Sequence, residues 1–384
     1  MYKDIIDFIR EMYQQPEAFI PLHAPVFKGN EKKYLEECVD STFVSSVGAF
    51  VTRFEEDMAA FTGAKYAIAT SSGTTALHLA LEVAGATYGK EVITQALSFV
   101  ATANAISHTG ARPVFIDSDM ETFGMCPVAL RTFLEEKTEQ SPEGLRNKAS
   151  GKIIAACVPV HIAGHALKIE EVVAICDEFG LPVVEDAAEG LGTTYKGKHT
   201  GTFGLMGALS FNGNKTITTG GGGMLLTNDP EIAARTKHLS TTAKVADGFE
   251  FAHDAIAWNY RMPNLNAALG VAQMEKIQPI LEVKRTIAGK YRELFAGSDI
   301  QFVDEPAECH SNFWLVTILM KDRAAREDFL KETNGASVMT RPFWKLLCQL
   351  PMYTDCQCED IPNAFDIYDR GINLPSGVPE HQSL

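Results

Sequence analysis

The 384-residue sequence has no long apolar run and no excess of basic residues. Its apolar stretches, such as residues 153–160, fall short of the roughly 20 residues that a membrane-spanning helix needs. Asp and Glu number 49 against 34 Lys and Arg, for a net charge of -15. Such a chain lacks the clustered positive charge that binds nucleic-acid phosphates. We therefore expect no membrane span and no nucleic-acid partner.

Paired-cysteine motifs are also missing. The eight cysteines are scattered, and Cys356 and Cys358 lack the two-residue gap of zinc and redox motifs. The opening MYKDIIDFIREMY mixes acids and bases in an amphipathic pattern, unlike a signal peptide. We therefore expect no metal site, reduced thiols and a cytoplasmic protein.

The sequence does contain the alternation typical of α/β proteins. From about residue 50, short apolar segments alternate with segments of helical period, which predicts a sheet with helices on both faces. The predicted strands are Tyr66–Thr70, Glu91–Thr94, Pro113–Ile116, Lys152–Val158, Leu181–Glu185, Ala208–Phe211 and Gly223–Thr227. The predicted helices are Thr74–Ala84, Val100–Thr109, Pro127–Lys137, Ile169–Phe179 and Pro230–Ser240.

A change in the predicted secondary structure after Trp258 indicates a second domain. A helix-rich segment, Asn264–Phe295, leads to a strand at Trp314–Met320 and a helix at Ala324–Thr333. We predict a large domain over residues 1–280, with an N-terminal helical segment, and a small one over 281–384. Residues 139–150, with a proline, a glycine and several charges, are predicted to form a surface loop.

Lys215 is the strongest candidate for chemistry. It follows an apolar strand in the sequence SFNGNKTITTGGGG, where little side-chain bulk separates it from a flat ligand. A lone lysine beside glycines is more often a solvated turn residue, but the neighbouring motifs favour a functional one.

The first of those motifs is LPVVEDAAE, which ends a buried strand with Asp186. Open α/β sheets bind ligands at this edge. Pyridoxal 5′-phosphate (PLP) chemistry needs an amine for a Schiff base and a carboxylate for the pyridine nitrogen. Asp186 and Lys215 supply that pair, although Asp186 could instead cap the following turn.

The second motif is a strand ending in small hydroxyl residues, Thr70-Ser71-Ser72-Gly73-Thr74, where a helix begins. Free N–H groups at a helix N-terminus attract a phosphate, and Gly73 permits close approach. Simple helix capping is the alternative. Ser210 is a further phosphate candidate, and Phe99 could stack on a pyridine ring or pack in the core.

Together these motifs resemble the DegT/StrS-type sugar-nucleotide aminotransferases of PLP fold type I. The resemblance includes Phe54-Glu55 before the first helix. It extends over most of the chain, through Ser72-Gly73-Thr74, Phe115-Ile116-Asp117, Pro159-Val160-His161, Glu185-Asp186-Ala187-Ala188, Ser210-Phe211, Asn214-Lys215 and Asn259-Tyr260-Arg261-Met262.

The resemblance implies a mostly parallel seven-stranded sheet, a smaller C-terminal α+β domain, and PLP carried on Lys215. Asp186 would contact the pyridine nitrogen, Glu189 the cofactor hydroxyl and Phe99 the ring. Asn259 would reach the partner's phosphate across a homodimer with shared active sites. The other implied cofactor contacts are Ser72, Gly73, Thr74, Ser210 and Asn212.

A finer resemblance concerns the substrate. Residues 340–345 and 373–377 resemble the subgroup that aminates C4 of UDP-linked 4-keto-6-deoxy-N-acetylhexosamines, with glutamate as donor. GDP-perosamine-type and dTDP-sugar enzymes are the alternatives. Lys215 in place of histidine favours amination over dehydration.

Candidate substrate contacts are less specific. Arg341 and Trp344 suit a diphosphate and a base, but a surface salt bridge and domain packing explain them equally well. His161 and Arg261 could line the site or be structural, and Ser46 belongs to a loop that could close over substrate. A PLP-binding scaffold without activity and an amino-acid transaminase or desulfurase are the rival functions.

Overall fold

The computed structural model describes residues 2–247 and 249–384, so Met1 of the N-terminal pattern lies outside the described residues. The helices are α1 (Lys3–Tyr13), α2 (Glu31–Ser41), α3 (Ala49–Thr62), α4 (Gly73–Val83), α5 (Ala101–His108), α6 (Pro127–Lys137), α7 (Ile169–Glu178), α8 (Pro230–Ser240), α9 (Asn264–Met274), α10 (Ile277–Phe295), α11 (Arg323–Gly335) and α12 (Pro362–Arg370). A 3-10 helix covers Leu347–Gln349.

The strands are β1 (Tyr66–Thr70), β2 (Glu91–Gln95), β3 (Arg112–Ile116), β4 (Thr138–Ser141), β5 (Gly144–Asn147), β6 (Ile154–Val158), β7 (Val184–Asp186), β8 (Thr194–Tyr195), β9 (Lys198–His199), β10 (Met206–Ser210), β11 (Gly223–Thr227), β12 (Lys244–Asp247), β13 (Glu250–His253), β14 (Gln301–Phe302), β15 (Cys309–His310), β16 (Val316–Leu319), β17 (Arg341–Pro342) and β18 (Gly371–Leu374).

The large sheet has seven strands and is mostly parallel, as predicted. Two ladders, β1-β11-β10-β7 and β3-β2-β6, are joined by parallel bridges from Cys157 to Val183 and from Val160 to Asp186. The order is therefore β1-β11-β10-β7-β6-β2-β3. Strand β11 runs antiparallel to both of its neighbours, β1 and β10. The pairs β10-β7, β6-β2 and β2-β3 are parallel.

Helices cover both faces because strand side chains alternate between two apolar clusters. Leu209 and Met224 pack in one cluster with Phe54 of α3. Their sequence neighbours Ala208 and Leu225 pack in another with α4, which is buried from Ala76 to Leu81. Helices therefore cover both faces of the sheet, as the residue pattern predicted.

Three local predictions need correction. Residues 139–150 are largely the hairpin β4–β5 and not an irregular loop, because Pro142 and Gly144, whose φ is 125°, support a tight turn between short strands. Phe54 and Glu55 lie inside α3 and not before the first helix. Strand β7 begins at Val184, later than predicted, since Pro182 lacks the N–H that a strand ladder uses.

The C-terminal region forms an antiparallel sheet of order β14-β16-β18-β17. Ile9 and Met12 of α1 join the apolar cluster of this region with Phe329 and Ile372. The predicted division at residue 280 falls inside α10 and stays a prediction. None of the described helices is long and apolar enough to cross a membrane.

Candidate active site

A cavity of about 360 Å³ lies where β7 and β10 end and where α4 and α5 begin. This is the edge at which open α/β sheets bind ligands. The residues that line it are Ser72, Gly73, Thr74, Leu77, Ser98, Phe99, Ala101, Thr102, Val160, Asp186, Ala188, Glu189, Ser210, Asn212, Asn214, Lys215, Gly221, Gly222, Trp314 and Trp344.

Lys215 extends into this cavity from the turn after β10, where its N–H donates to the Asn212 carbonyl at 3.0 Å. Its side chain is 13% exposed, and its Nζ lies 3.7 Å from Glu189 Oε1. The Trp314 ring centroid is 3.8 Å from the same Nζ. Burial lowers the pKa of Lys215, although Glu189 and Asp186 oppose this shift. A lower pKa leaves more of the amine neutral and nucleophilic at pH 7.

Asp186 is held rigidly at the end of β7. Its Oδ2 accepts from the Thr102 hydroxyl at 2.7 Å, and its Oδ1 accepts from the Ala188 N–H at 3.1 Å. The Thr102 hydroxyl in turn lies 2.9 Å from that of Ser98. The carboxylate therefore stabilises the turn, as the alternative interpretation required, and also faces the cavity.

The N-terminus of α4 forms another wall of the cavity. Ser72 and Thr75 make a reciprocal capping box, with the Thr75 N–H donating to Ser72 Oγ at 3.1 Å and the Ser72 N–H to Thr75 Oγ1 at 3.0 Å. The remaining first-turn N–H groups carry the positive end of the helix dipole. Ser210 lies beside this turn, so the arrangement suits a single phosphate.

Gly73→Ala is expected to disrupt this wall. A Cβ at Gly73 would lie 2.7 Å from the Cβ of Ser210, so the helix start and β10 would have to separate. We expect the free energy of unfolding to fall by about 1–3 kcal/mol and the Kd for PLP to rise about tenfold. Spectroscopic titration with PLP and thermal denaturation measure both. Gly213→Ala is the matched control, because nothing lies within 4 Å of its Cβ position. Equal effects of both substitutions would contradict the prediction.

Glu189 is a buried carboxyl group beside the lysine. Its Oε2 accepts from the Ala163 N–H at 2.7 Å, and its backbone carbonyl accepts from Asn312 Nδ2 at 2.8 Å. Burial raises the pKa of Glu189 to about 7, against the attraction of Lys215. Near neutrality the Glu189 carboxyl group and the Lys215 amine can therefore share either one or two protons.

The raised pKa predicts how Glu189 affects stability. A carboxyl group that binds its proton more tightly when folded adds stability below its unfolded pKa, and this stability is lost as the pH rises through about 7. Glutamine cannot ionise. In cofactor-free protein we expect Glu189→Gln to raise Tm over wild type by about 2–4 °C at about pH 8, and by less at about pH 5. Glu136→Gln, at an exposed position of α6, is the control. A difference in Tm that does not grow with pH would refute this.

Aromatic side chains form the outer wall. Phe99 is 51% exposed, and its ring contacts that of Trp344 edge to face, with centroids 6.1 Å apart. Phe99 therefore does not pack in the core, which was the alternative. Asn212 also lines the cavity, with its side chain bonded to Asn214.

Five predicted contacts lie outside the cavity of this chain. For His161 the geometry supports the structural alternative, because the side chain is fully buried with its Nε2 3.0 Å from Glu185 Oε2. Its contact with substrate stays a prediction. The others are Ser46, Asn259, Arg261 and Arg341.

Asn259 and Arg261 form a hydrogen bond with each other. Arg261 Nε donates to Asn259 Oδ1 at 2.9 Å. Arg341 is exposed and lies 3.4 Å from Asn334 Oδ1. The predicted cofactor and substrate contacts of all four residues stay predictions.

Three residues at or beside the cavity were not predicted from the sequence motifs: Thr102, Asn312 and Trp314. Thr102 lies on the first turn after Phe99. A hydroxyl residue at this edge of the sheet was the signal that could have identified it as a site residue. Asn312 and Trp314 are distant in sequence, and no local motif marks them. No set of three metal-ligating side chains occurs in the described part of the chain.

A mostly parallel seven-stranded sheet that bears a buried amine, a fixed carboxylate and a helix N-terminus in one cavity defines a PLP-dependent enzyme of fold type I. The donor set fits the cofactor, because the amine suits its aldehyde, the carboxylate its ring nitrogen and the helix N-terminus its phosphate.

Comparison with known proteins then defines the family. Residues 25–380 match the DegT/DnrJ/EryC1/StrS aminotransferase family. EpsN of Bacillus subtilis (strain 168) is 38% identical over 369 residues, covering 93% of this chain and 91% of EpsN. GDP-perosamine synthase of Escherichia coli O157:H7 is 38% identical over 358 residues, covering 93% of each chain. Helicobacter pylori PseC, an aminotransferase of pseudoaminic acid biosynthesis, has a TM-score of 0.84 at 25% identity, covering 93% of each chain.

The chain belongs to the DegT/DnrJ/EryC1/StrS aminotransferase family. It is a sugar aminotransferase, and its cofactor is PLP.

Proposed function

We propose that this enzyme transfers an amino group from glutamate to C4 of a nucleotide-linked 4-keto-6-deoxy sugar. The observation that carries the proposal is the convergence of Lys215, Asp186 and the N-terminus of α4 on one cavity. An amino-acid donor and a keto-sugar would use this cavity in turn, in a two-step cycle.

Lys215 is assigned both the cofactor link and the proton transfers. Its amine is buried beside Glu189 and Trp314, and its lowered pKa suits a base that works near neutrality. With PLP and the amino donor bound, the free amine of Lys215 would take the proton from the donor Cα and would later return it, so that one side chain would serve as both base and acid. The bound cofactor supplies an electron sink for this step.

The other side chains hold the geometry. Asp186, fixed by Thr102, keeps the ring nitrogen protonated. Gly73, Thr74 and Ser210 bind the phosphate with the N-terminus of α4. Phe99 covers the ring, which orients it and limits access of water.

Two nucleotides compete as the substrate carrier. The motif resemblance at residues 340–345 and 373–377 supports a UDP-linked N-acetylhexosamine, and we propose this as the substrate. The relatives that are named GDP-perosamine synthases support a GDP-linked sugar as a second candidate. Trp344, with its edge-to-face contact to Phe99, is positioned to pack against sugar or base in either case.

A substrate panel separates these candidates. The PLP enzyme is first converted with glutamate, freed of excess donor, and then mixed with UDP-, GDP- or dTDP-linked 4-keto-6-deoxy sugars. We expect the UDP-linked N-acetyl sugar to restore the PLP absorption fastest and to yield a 4-amino sugar by mass spectrometry. Faster turnover of the GDP-linked sugar would favour the second candidate. No turnover of any keto-sugar after conversion by glutamate would refute the proposal.

A homodimer with shared sites is also proposed. Asn259 and Arg261 lie outside the cavity of their own chain, and the preceding segment exposes Phe251 and Ile256, which are 75% and 94% exposed. Exposed apolar residues of this kind favour a protein interface. Light scattering should give twice the chain mass of 41.9 kDa, and a monomer with full activity would contradict a shared site.

A further inference from the structure

A buried lysine lies behind the cavity wall. Lys284 of α10 is 1% exposed. Its Nζ donates to the carbonyls of Ser376 at 2.7 Å and Trp314 at 3.2 Å, and lies 2.9 Å from His23 Nε2. All three described partners are uncharged when His23 is neutral. Burying an amine without a carboxylate partner costs free energy.

Trp314 connects Lys284 to the reacting amine. The Trp314 N–H donates to Asn312 Oδ1 at 2.6 Å, and its indole Nε1 donates to the Asn214 carbonyl at 2.7 Å. Its carbonyl accepts from Lys284. The ring held in this way lies 3.8 Å from Lys215 Nζ. One residue therefore separates the buried lysine from the lysine of the site.

The same amine joins three separate segments. His23 belongs to the N-terminal segment, Trp314 precedes β16, and Ser376 follows β18. The Ser376 N–H donates to the Leu22 carbonyl at 2.8 Å, and Ser376 Oγ accepts from the Val316 N–H at 2.7 Å. An apolar side chain at 284 would leave two buried carbonyls without this donor and so would weaken the junction of the three segments.

His23 completes the arrangement. Its Nδ1 is buried and has no hydrogen-bond partner within residues 2–247 and 249–384. Burial, together with the charges of Lys284 and Lys215, lowers the pKa of His23, so the imidazole stays neutral. Its Nε2 is then free to accept from the Lys284 ammonium, and burial lowers the pKa of Lys284 itself to about 7.

We propose that Lys284, with His23, is a positioning residue of the active site that holds the indole of Trp314 against the amine of Lys215. The inference rests on the proposed role of Lys215. By fixing the ring, Lys284 keeps water away from the Lys215 amine and so keeps its affinity for protons low. The titratable groups that face Lys215 are Glu189, Asp186 and His23. Substituting Lys284 leaves all three side chains in place and removes one of the charges that lower the pKa of His23.

The test compares Lys284→Met with Lys290→Met, an exposed position on the same helix. The full chain, freed of cofactor, is labelled with trace acetic anhydride between about pH 6 and pH 10. Mass spectrometry of the Lys215 peptide then gives the midpoint of its reactivity. In Lys284→Met, looser packing of Trp314 should admit water, and the midpoint should rise by about one pH unit. Lys290→Met should match wild type, and an unchanged midpoint in folded Lys284→Met would overturn the proposal.

A second variant covers the case in which Lys284→Met does not fold. His23→Gln removes one partner of Lys284 and leaves both carbonyl contacts. It should move the Lys215 midpoint in the same direction by a smaller amount, and no movement would overturn the proposal. The holoenzyme adds a second readout, because the acid limb of its pH profile with glutamate should shift similarly. Wild type that fails to link PLP to Lys215 would instead refute the proposed function.

Discussion

Lys215→Ala is expected to bind PLP and to lose amino transfer almost completely. The buried Nζ beside Glu189 is the group that we propose both links the cofactor and transfers the proton at the donor Cα. General acid–base catalysis alone contributes about 10²–10⁴-fold, so we expect kcat to fall by at least about 10³-fold. The phosphate wall is untouched, so the Kd for PLP should rise far less than kcat falls.

The rate of the glutamate half-reaction, followed by absorbance in a single turnover, measures this loss without any sugar. Lys331→Ala is the control, because Lys331 is an exposed lysine on α11. Added methylamine should restore part of the rate, since a small free amine can replace the missing base. Lys215→Ala that keeps more than about a tenth of wild-type kcat would exclude the assigned role.

Asp186→Asn is expected to have the second-largest effect. Asparagine preserves the shape. Its one amide oxygen can still accept from the Ala188 N–H, and its Nδ2 can donate to the Thr102 hydroxyl oxygen in place of the hydrogen bond that Asp186 accepts. It removes the negative charge that holds a proton on the ring nitrogen. Removing one partner of a buried charge pair costs about 3–5 kcal/mol, so kcat should fall about 10²- to 10³-fold. Single-turnover rates with glutamate measure it.

Two further variants separate charge from shape. Thr102→Val keeps the carboxylate but removes its 2.7 Å hydrogen bond, and we expect a loss of about tenfold. Asp177→Asn, at an exposed position of α7, should change nothing. Equal losses for Thr102→Val and Asp186→Asn would mean that position, and not charge, explains the requirement for Asp186.

The sheet could be predicted because its strands have strong local patterns. Residues 223–227 and 66–70 are apolar runs bounded by glycine or hydroxyl residues, and both match the observed strands. The short hairpins β4–β5 and β12–β13 carry no such pattern. Each of their strands has only four residues and mixes polar with apolar side chains, and cross-strand pairing rather than burial of an apolar face defines them.

The same difference between local sequence patterns and tertiary packing explains which site residues could be predicted. Lys215, Asp186 and Gly73 each lie at the end of a predicted strand, so the rule for α/β sheets brings them to one edge. Trp314 lines that edge from the C-terminal region, and Asn312 donates to the Glu189 carbonyl beside it. Only the tertiary packing shows these contacts. His161 follows a strand end too, but its ring bonds to Glu185 inside the fold, and sequence gives no orientation for such a side chain.

Reductive trapping shows directly whether Lys215 carries the cofactor. Purified enzyme loaded with PLP is treated with borohydride, which makes the bond between cofactor and lysine permanent, and its tryptic peptides are mapped by mass spectrometry. We expect the added mass on the peptide that contains Lys215, at close to one cofactor per chain. Trapping at another lysine, such as the buried Lys284, or no trapping at all would contradict it.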